Sequence, residues 1–101
     1  MSNQYELKTL SEIKLMKPKL YAVIMLNDDY TPMDFVVDVL TGIFHKSRDE
    51  AVGMMLKVHN MGQAVVGVYT FDIAMTKKCR TDQLSKEQGF PFEVRIDEAM
   101  E

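Results

Sequence analysis

The chain has 101 residues, 47% hydrophobic and 27% charged, with 12 Lys and Arg against 15 Asp and Glu for a net charge of −3. That length and apolar content fit one small domain with its own core and exclude wholesale disorder, while the net acidity argues against a nucleic-acid partner. The single cysteine, Cys79, excludes an intramolecular disulfide and a zinc site built on cysteine pairs, and fits a reducing, cytoplasmic setting.

No run approaches the ~18 consecutive apolar residues of a membrane span, so no membrane association is expected. The polar start lacks the continuous apolar stretch of a signal peptide. Nine methionines are many for this length. Met fills gaps in cores and also suits surfaces that must accept several partner shapes.

Residues 1–18 mix charge and polarity without a firm period. Leu7, Leu10, Ile13 and Leu15 give only a weak helical hint, and Pro18 breaks any helix. A flexible N-terminal extension is expected here, followed by a core domain over 19–101. Leu20-Tyr21-Ala22-Val23-Ile24-Met25-Leu26 is a nearly continuous apolar run of strand length. Asn27-Asp28-Asp29-Tyr30 then reads as a loop. Thr31 suits a helix N-cap and Pro32 the first helical position, with Asp34 favourable to the helix dipole.

A first helix is expected over 32–44. Met33, Val36, Val37, Leu40 and Phe44 recur at helical spacing and should face the core, with Phe35, Val39 and Ile43 as a second apolar strip. Ser47 and Glu50 form a capping-box pattern that opens a second helix, ending near Met61 with Gly62 as a left-handed cap. Met55, Val58 and His59 share one face of it. Residues 64–69 read as a second strand. Thr70 can cap a third helix with Asp72 in its first turn, apolar points at Ile73, Ala74 and Leu84, and Gly89 as its stop. Residues 92–96 alternate apolar and polar as a half-buried third strand, and 97–101 form an acidic tail. The order β-α-α-β-α-β implies an α+β fold, a small three-stranded antiparallel sheet packed against three helices.

Several chemistries can be weighed. Cys79 lies beside the basic Lys78 and Arg80, but no nucleophile signature surrounds it. Asp28, Asp29 and His59 make a conceivable carboxylate–imidazole metal set, yet adjacent aspartates rarely both point inward and no second His stands at ligand spacing. The acidic loop between strand and helix offers another use. If the second helix packs beside it, Asn27, Asp28 and a neutral His59 share one ammonium group, with Met33, Met55 and Val58 lining an apolar hollow next to it. That combination suits a free peptide N-terminus with a large first side chain.

The run Leu26-Asn27-Asp28-Asp29-Tyr30-Thr31-Pro32-Met33, followed by Phe35-Val36-Val37, Met55-Leu56, Val58-His59, Gly67-Val68-Tyr69-Thr70, Ala74, Thr76-Lys77 and Pro91, closely resembles the ClpS adaptors of the bacterial Clp protease. The resemblance covers about residues 21–96. It implies a non-enzymatic adaptor, without cofactor or metal, for N-degron proteins that begin with Leu, Phe, Tyr or Trp. It implies delivery of these to the N-domain of an AAA+ unfoldase of the ClpA or ClpC type.

By the same resemblance, Asn27, Asp28 and His59 hold the substrate α-amino group. Thr31, Met33, Met55 and Val58 line the pocket, with Met33 as a gate against β-branched first residues. Asp72 and Lys77 match positions that dock on the unfoldase, and residues 1–19 match an arm that the unfoldase engages. Phe92 stands where the family usually has Leu, so a larger ring enters the pocket. A reading from a different class is a structural interaction domain like the C-terminal domain of the ribosomal stalk protein, which would ignore free amines.

Overall fold

Leu20–Leu26 forms β1, the middle strand of a three-stranded sheet in the order β2-β1-β3. The computed structural model describes residues 18–99; the extension expected over 1–18 lies almost wholly outside them. The remaining elements are α1 (Met33–Gly42), α2 (Arg48–Met61), β2 (Gln63–Thr70), α3 (Phe71–Gln88) and β3 (Val94–Glu98). Both β2 and β3 pair antiparallel to β1. The expected fold class is the one observed.

β1 is apolar almost throughout, with one face on the helices and the other hemmed in by the side chains of β2 and β3 on either side of it. Val23 and Met25 are fully buried in the main core, while Ala22 and Ile24 are buried on the other face. All three helices contribute to the Val23–Met25 side. α1 supplies Phe35, Val36, Val37, Val39 and Leu40, α2 supplies Ala51, Met55 and Val58, and α3 supplies Ala74. The two expected apolar strips of α1 are therefore both covered, with one exception at Met33, which is 46% exposed.

The ends of α2 follow the sequence closely. Ser47 Oγ accepts from the Glu50 N–H at 3.2 Å, and the Glu50 carboxylate accepts from the Ser47 N–H at 3.2 Å. Gly62 closes the helix at φ 87°, where a side chain would be strained.

Several expectations need correction. Thr31 does not cap α1: Pro32 occupies that position and the helix begins at Met33, because the Thr31 hydroxyl is drawn to Asp28 instead. α1 also ends at Gly42 rather than 44. Thr70 stands at the cap of α3 but makes no side-chain capping bond. β3 is shifted to Val94–Glu98, because Phe92 turns into the core while Asp97 and Glu98 continue pairing with β1. On α3 the buried stripe is Ala74, Thr81 and Ser85, whereas Ile73 is 49% exposed. Small residues let this helix sit close on the sheet, and the Thr81 hydroxyl is satisfied by the Lys77 carbonyl at 2.8 Å.

Candidate functional site

The end of β1 and the end of α2 are tied together. The Asn27 N–H donates to the Gly62 carbonyl at 2.9 Å, and the Leu26 N–H donates to the Glu93 backbone carbonyl at 3.3 Å. These bonds seat the acidic loop next to the last turn of α2, which carries His59, and next to the segment carrying Phe92.

Asp28 then shapes the loop. Its Oδ1 accepts from the N–H groups of Tyr30 at 2.9 Å and Thr31 at 2.7 Å, and its Oδ2 accepts from the Thr31 hydroxyl at 2.7 Å. Burial pushes the Asp28 carboxyl up, but the bonds from the Thr31 hydroxyl and the two N–H groups outweigh it and hold the carboxyl below its usual value. Asp28 is thus ionised at neutral pH. Three of its roughly four acceptor sites are used, which leaves one on Oδ2.

A cavity of about 200 Å³ opens at this junction. Asn27, Asp28, Thr31, Met33, Met55, Val58, His59 and Phe92 all line it, so the eight residues named for amine and side-chain recognition come together. Asp29, Leu26 and Val36 line it as well. Leu26 and Val36 were not among the residues expected at this cavity, although their places at the strand end and one turn beyond Met33 carried the signal. His59 and Met33 are exposed at the mouth, while Met55, Val58 and Phe92 are buried beneath. The Phe92 ring stands edge-on to Phe35 at 5.9 Å, and Phe35 stands edge-on to Phe90 at 4.9 Å, which braces the floor. The volume is below the ~300–1,000 Å³ of drug-sized sites and matches a single side chain.

The protein-family model described as "ATP-dependent Clp protease adaptor protein ClpS" matches residues 16–95. The chain belongs to the ClpS family. It is 46% identical over 96 residues to the ClpS adapter of Wolinella succinogenes, covering 95% of this chain and 94% of that one. It is 47% identical over 92 residues to the ClpS adapter of Acetivibrio thermocellus, covering 91% and 93%. The structure of Agrobacterium tumefaciens ClpS2 bound to L-phenylalaninamide is similar at a TM-score of 0.79 and 44% identity, over 82% of this chain and 100% of that chain. The chain is accordingly an adaptor of the Clp protease, a part of protein degradation.

The other named residues lie elsewhere. Asp72 is exposed in the first turn of α3. Lys77, farther along the same helix, turns inward: its Nζ donates to the Ile43 carbonyl at 2.7 Å and lies 5.7 Å and 5.3 Å from the ring centres of Phe44 and Tyr69. Burial pulls its pKa down, and the nearby Arg80 and Lys46 act in the same direction. Cys79 is exposed on α3. Although Asp28, Asp29 and His59 share the cavity, no group of three His, Cys, Asp or Glu among the described residues is placed to hold a metal ion. No described helix is long and apolar enough to cross a membrane.

Proposed function

We propose that the cavity binds the free N-terminus of proteins beginning with Leu, Phe, Tyr or Trp, for delivery to a Clp unfoldase. The observation that carries this reading is one small hollow with an ionised carboxylate at its mouth and an apolar floor. The substrate ammonium donates to the open Oδ2 site of Asp28, to the Asn27 side-chain carbonyl and to an imidazole nitrogen of His59. The first side chain enters between Met55, Val58 and Phe92, with Met33 over it. L-phenylalaninamide, the ligand of the Agrobacterium relative, has the same chemistry: a free α-amine, a large apolar side chain and an amide in place of the next peptide bond.

Charge-assisted hydrogen bonds contribute about 1.5–3 kcal/mol each. Burial of one large apolar side chain contributes about 1.5–3 kcal/mol. Three such bonds and one buried side chain total roughly 6–12 kcal/mol before association entropy takes its share. Less an association cost of at least about 4 kcal/mol, the upper end of that range corresponds to a micromolar dissociation constant and the rest to weaker binding, suited to an adaptor that must release its cargo.

The test is fluorescence anisotropy with labelled peptides differing only at residue one. Binding of Leu, Phe, Tyr and Trp peptides, weakening for Ile and Val, and loss on N-acetylation are expected. Equal binding of acetylated peptides would overturn the reading and favour an interaction domain that ignores amines. The second part of the proposal is docking on the N-domain of a ClpA- or ClpC-type unfoldase through the α3 face bearing Asp72 and Lys77. Titrating an isolated N-domain with the Asp72→Ala protein checks it, with weaker association expected than for the parent.

A further inference from the structure

β3 is an outer strand, and none of the described strands pairs on its far side. Such an edge is a template for pairing with another chain. Bonds in an antiparallel pair alternate along the strands. The Ala99 N–H donates to the Leu20 carbonyl at 2.8 Å, and the Leu26 N–H donates to the Glu93 carbonyl at 3.3 Å. Residues 93, 95, 97 and 99 therefore turn their backbone groups toward β1, and Val94 and Ile96 turn theirs outward. The Val94 carbonyl confirms this, since Lys78 Nζ reaches it from α3 at 2.9 Å. Beside this edge a groove of about 510 Å³ runs between β3 and α3. Tyr21 and Leu26 both line it, so it extends for about 16 Å along the sheet. Its walls are apolar: Met75 and Ile96 are half-buried, and Phe71 is 49% exposed.

We infer that this groove holds the substrate polypeptide downstream of its first residues, as an extended strand added to the edge of β3. The inference rests on the reading of the cavity as a site for a free N-terminus, and continuity with that cavity names the occupant. Leu26 lines both hollows, and Phe92 of the cavity floor leads directly into Glu93 and Val94 of the groove. A chain whose first residue sits in the cavity enters the groove where β3 begins and runs on toward Phe71, so the added strand is parallel to β3. The Ile96 N–H then donates to one peptide carbonyl, and the Ile96 carbonyl accepts from the peptide N–H two residues farther on. Alternate side chains enter between Met75 and Ile96. Because the bonds go to backbone, strand addition makes few demands on sequence, which suits cargo that has only its first residue in common. The far end of the groove, at Phe71, adjoins Asp72 of the proposed docking face, so the bound chain is aimed at the unfoldase.

The test compares, on the full chain, a Leu-initiated dipeptide amide with a longer Leu-initiated peptide carrying Val at alternate positions, both read by anisotropy. The longer peptide should bind on the order of tenfold more tightly, from one or two added hydrogen bonds and a partly buried side chain. Methylating its backbone nitrogens one at a time, beyond the second residue, should weaken binding at alternate positions and leave those between unaffected. Met75→Glu should erase the advantage of the longer peptide and leave the dipeptide affinity unchanged, because Met75 does not line the cavity. Equal binding of the two peptides to the parent protein overturns the inference and leaves the cavity reading standing. A gain that survives Met75→Glu, or one without alternation on methylation, also overturns it, since the chain is then held elsewhere. Failure of both peptides to bind, or binding of both after N-acetylation, brings down the cavity reading and the inference with it.

Discussion

Under the proposed function Asp28 has two tasks, and they compete for the same oxygens. Its bonds to Tyr30 and Thr31 hold the loop, and only the remaining Oδ2 site is open for an amine. Asp28→Ala should therefore remove both the loop anchor and the charge, and abolish peptide binding. Asp28→Asn keeps an acceptor but loses the charge. One charge-assisted bond at about 1.5–3 kcal/mol corresponds to roughly 10- to 100-fold weaker binding by anisotropy. Phe92 argues differently. Its ring is 2% exposed and braced by Phe35, so it sets the depth of the cavity. Phe92→Leu should cost about 1–2 kcal/mol in denaturant unfolding and raise the affinity for Trp-initiated peptides relative to Leu-initiated ones. An unchanged Trp-to-Leu ratio would mean that this ring does not limit the pocket.

Among the elements, α2 and α3 show what could be read in advance and what could not. β1, the Ser47–Glu50 capping box and the Gly62 stop were legible, because each rests on local chemistry: an apolar run, a hydrogen-bonding pair and a left-handed backbone. Much of the cavity lining was legible through the Asn27–Met33 run and His59. Less legible were features decided by distant partners. Asp28 takes the Thr31 hydroxyl away from helix capping, and Phe35 pulls Phe92 out of β3. The stripe of Ala74, Thr81 and Ser85 is hidden from a search for apolar periodicity, since two of its members are polar.

The inward turn of Lys77 is a further tertiary outcome. It closes the chain beyond α1 by meeting the Ile43 carbonyl, so Lys77→Ala should lower stability by about 1–2 kcal/mol as well as any docking affinity. Asp72→Ala separates the two, because Asp72 is exposed. Within α2, Gly53 has open space where a Cβ would stand, and Gly53→Ala should raise the unfolding midpoint by about 0.5–1 kcal/mol of stability.

For the whole molecule, stability should form a plateau that falls away on both sides. On the acid side, Asp28 has a lowered carboxyl, and Glu50 is lowered by its bonds to the Ser47 N–H and hydroxyl. The unfolded chain binds these protons first, so their contribution is complete above the usual carboxylate range. It disappears as pH falls through their lower folded values. On the alkaline side, burial pushes the Tyr69 phenol up. Its contribution is complete below about pH 10, the usual phenol value, and is lost as pH rises through the higher folded one. Denaturant midpoints measured across pH check both limbs, and a midpoint that stayed level into acid would refute the Asp28 assignment.

The walls of the cavity come from three separated stretches: the loop after β1, the second half of α2, and Phe92 near the end of the chain. A chain still being synthesised therefore has the acidic loop early but no floor until Phe92 has left the ribosome and β3 has paired with β1. Under the proposed function, binding competence waits for the pairing of β3 with β1, which sets Phe92 beneath the acidic loop.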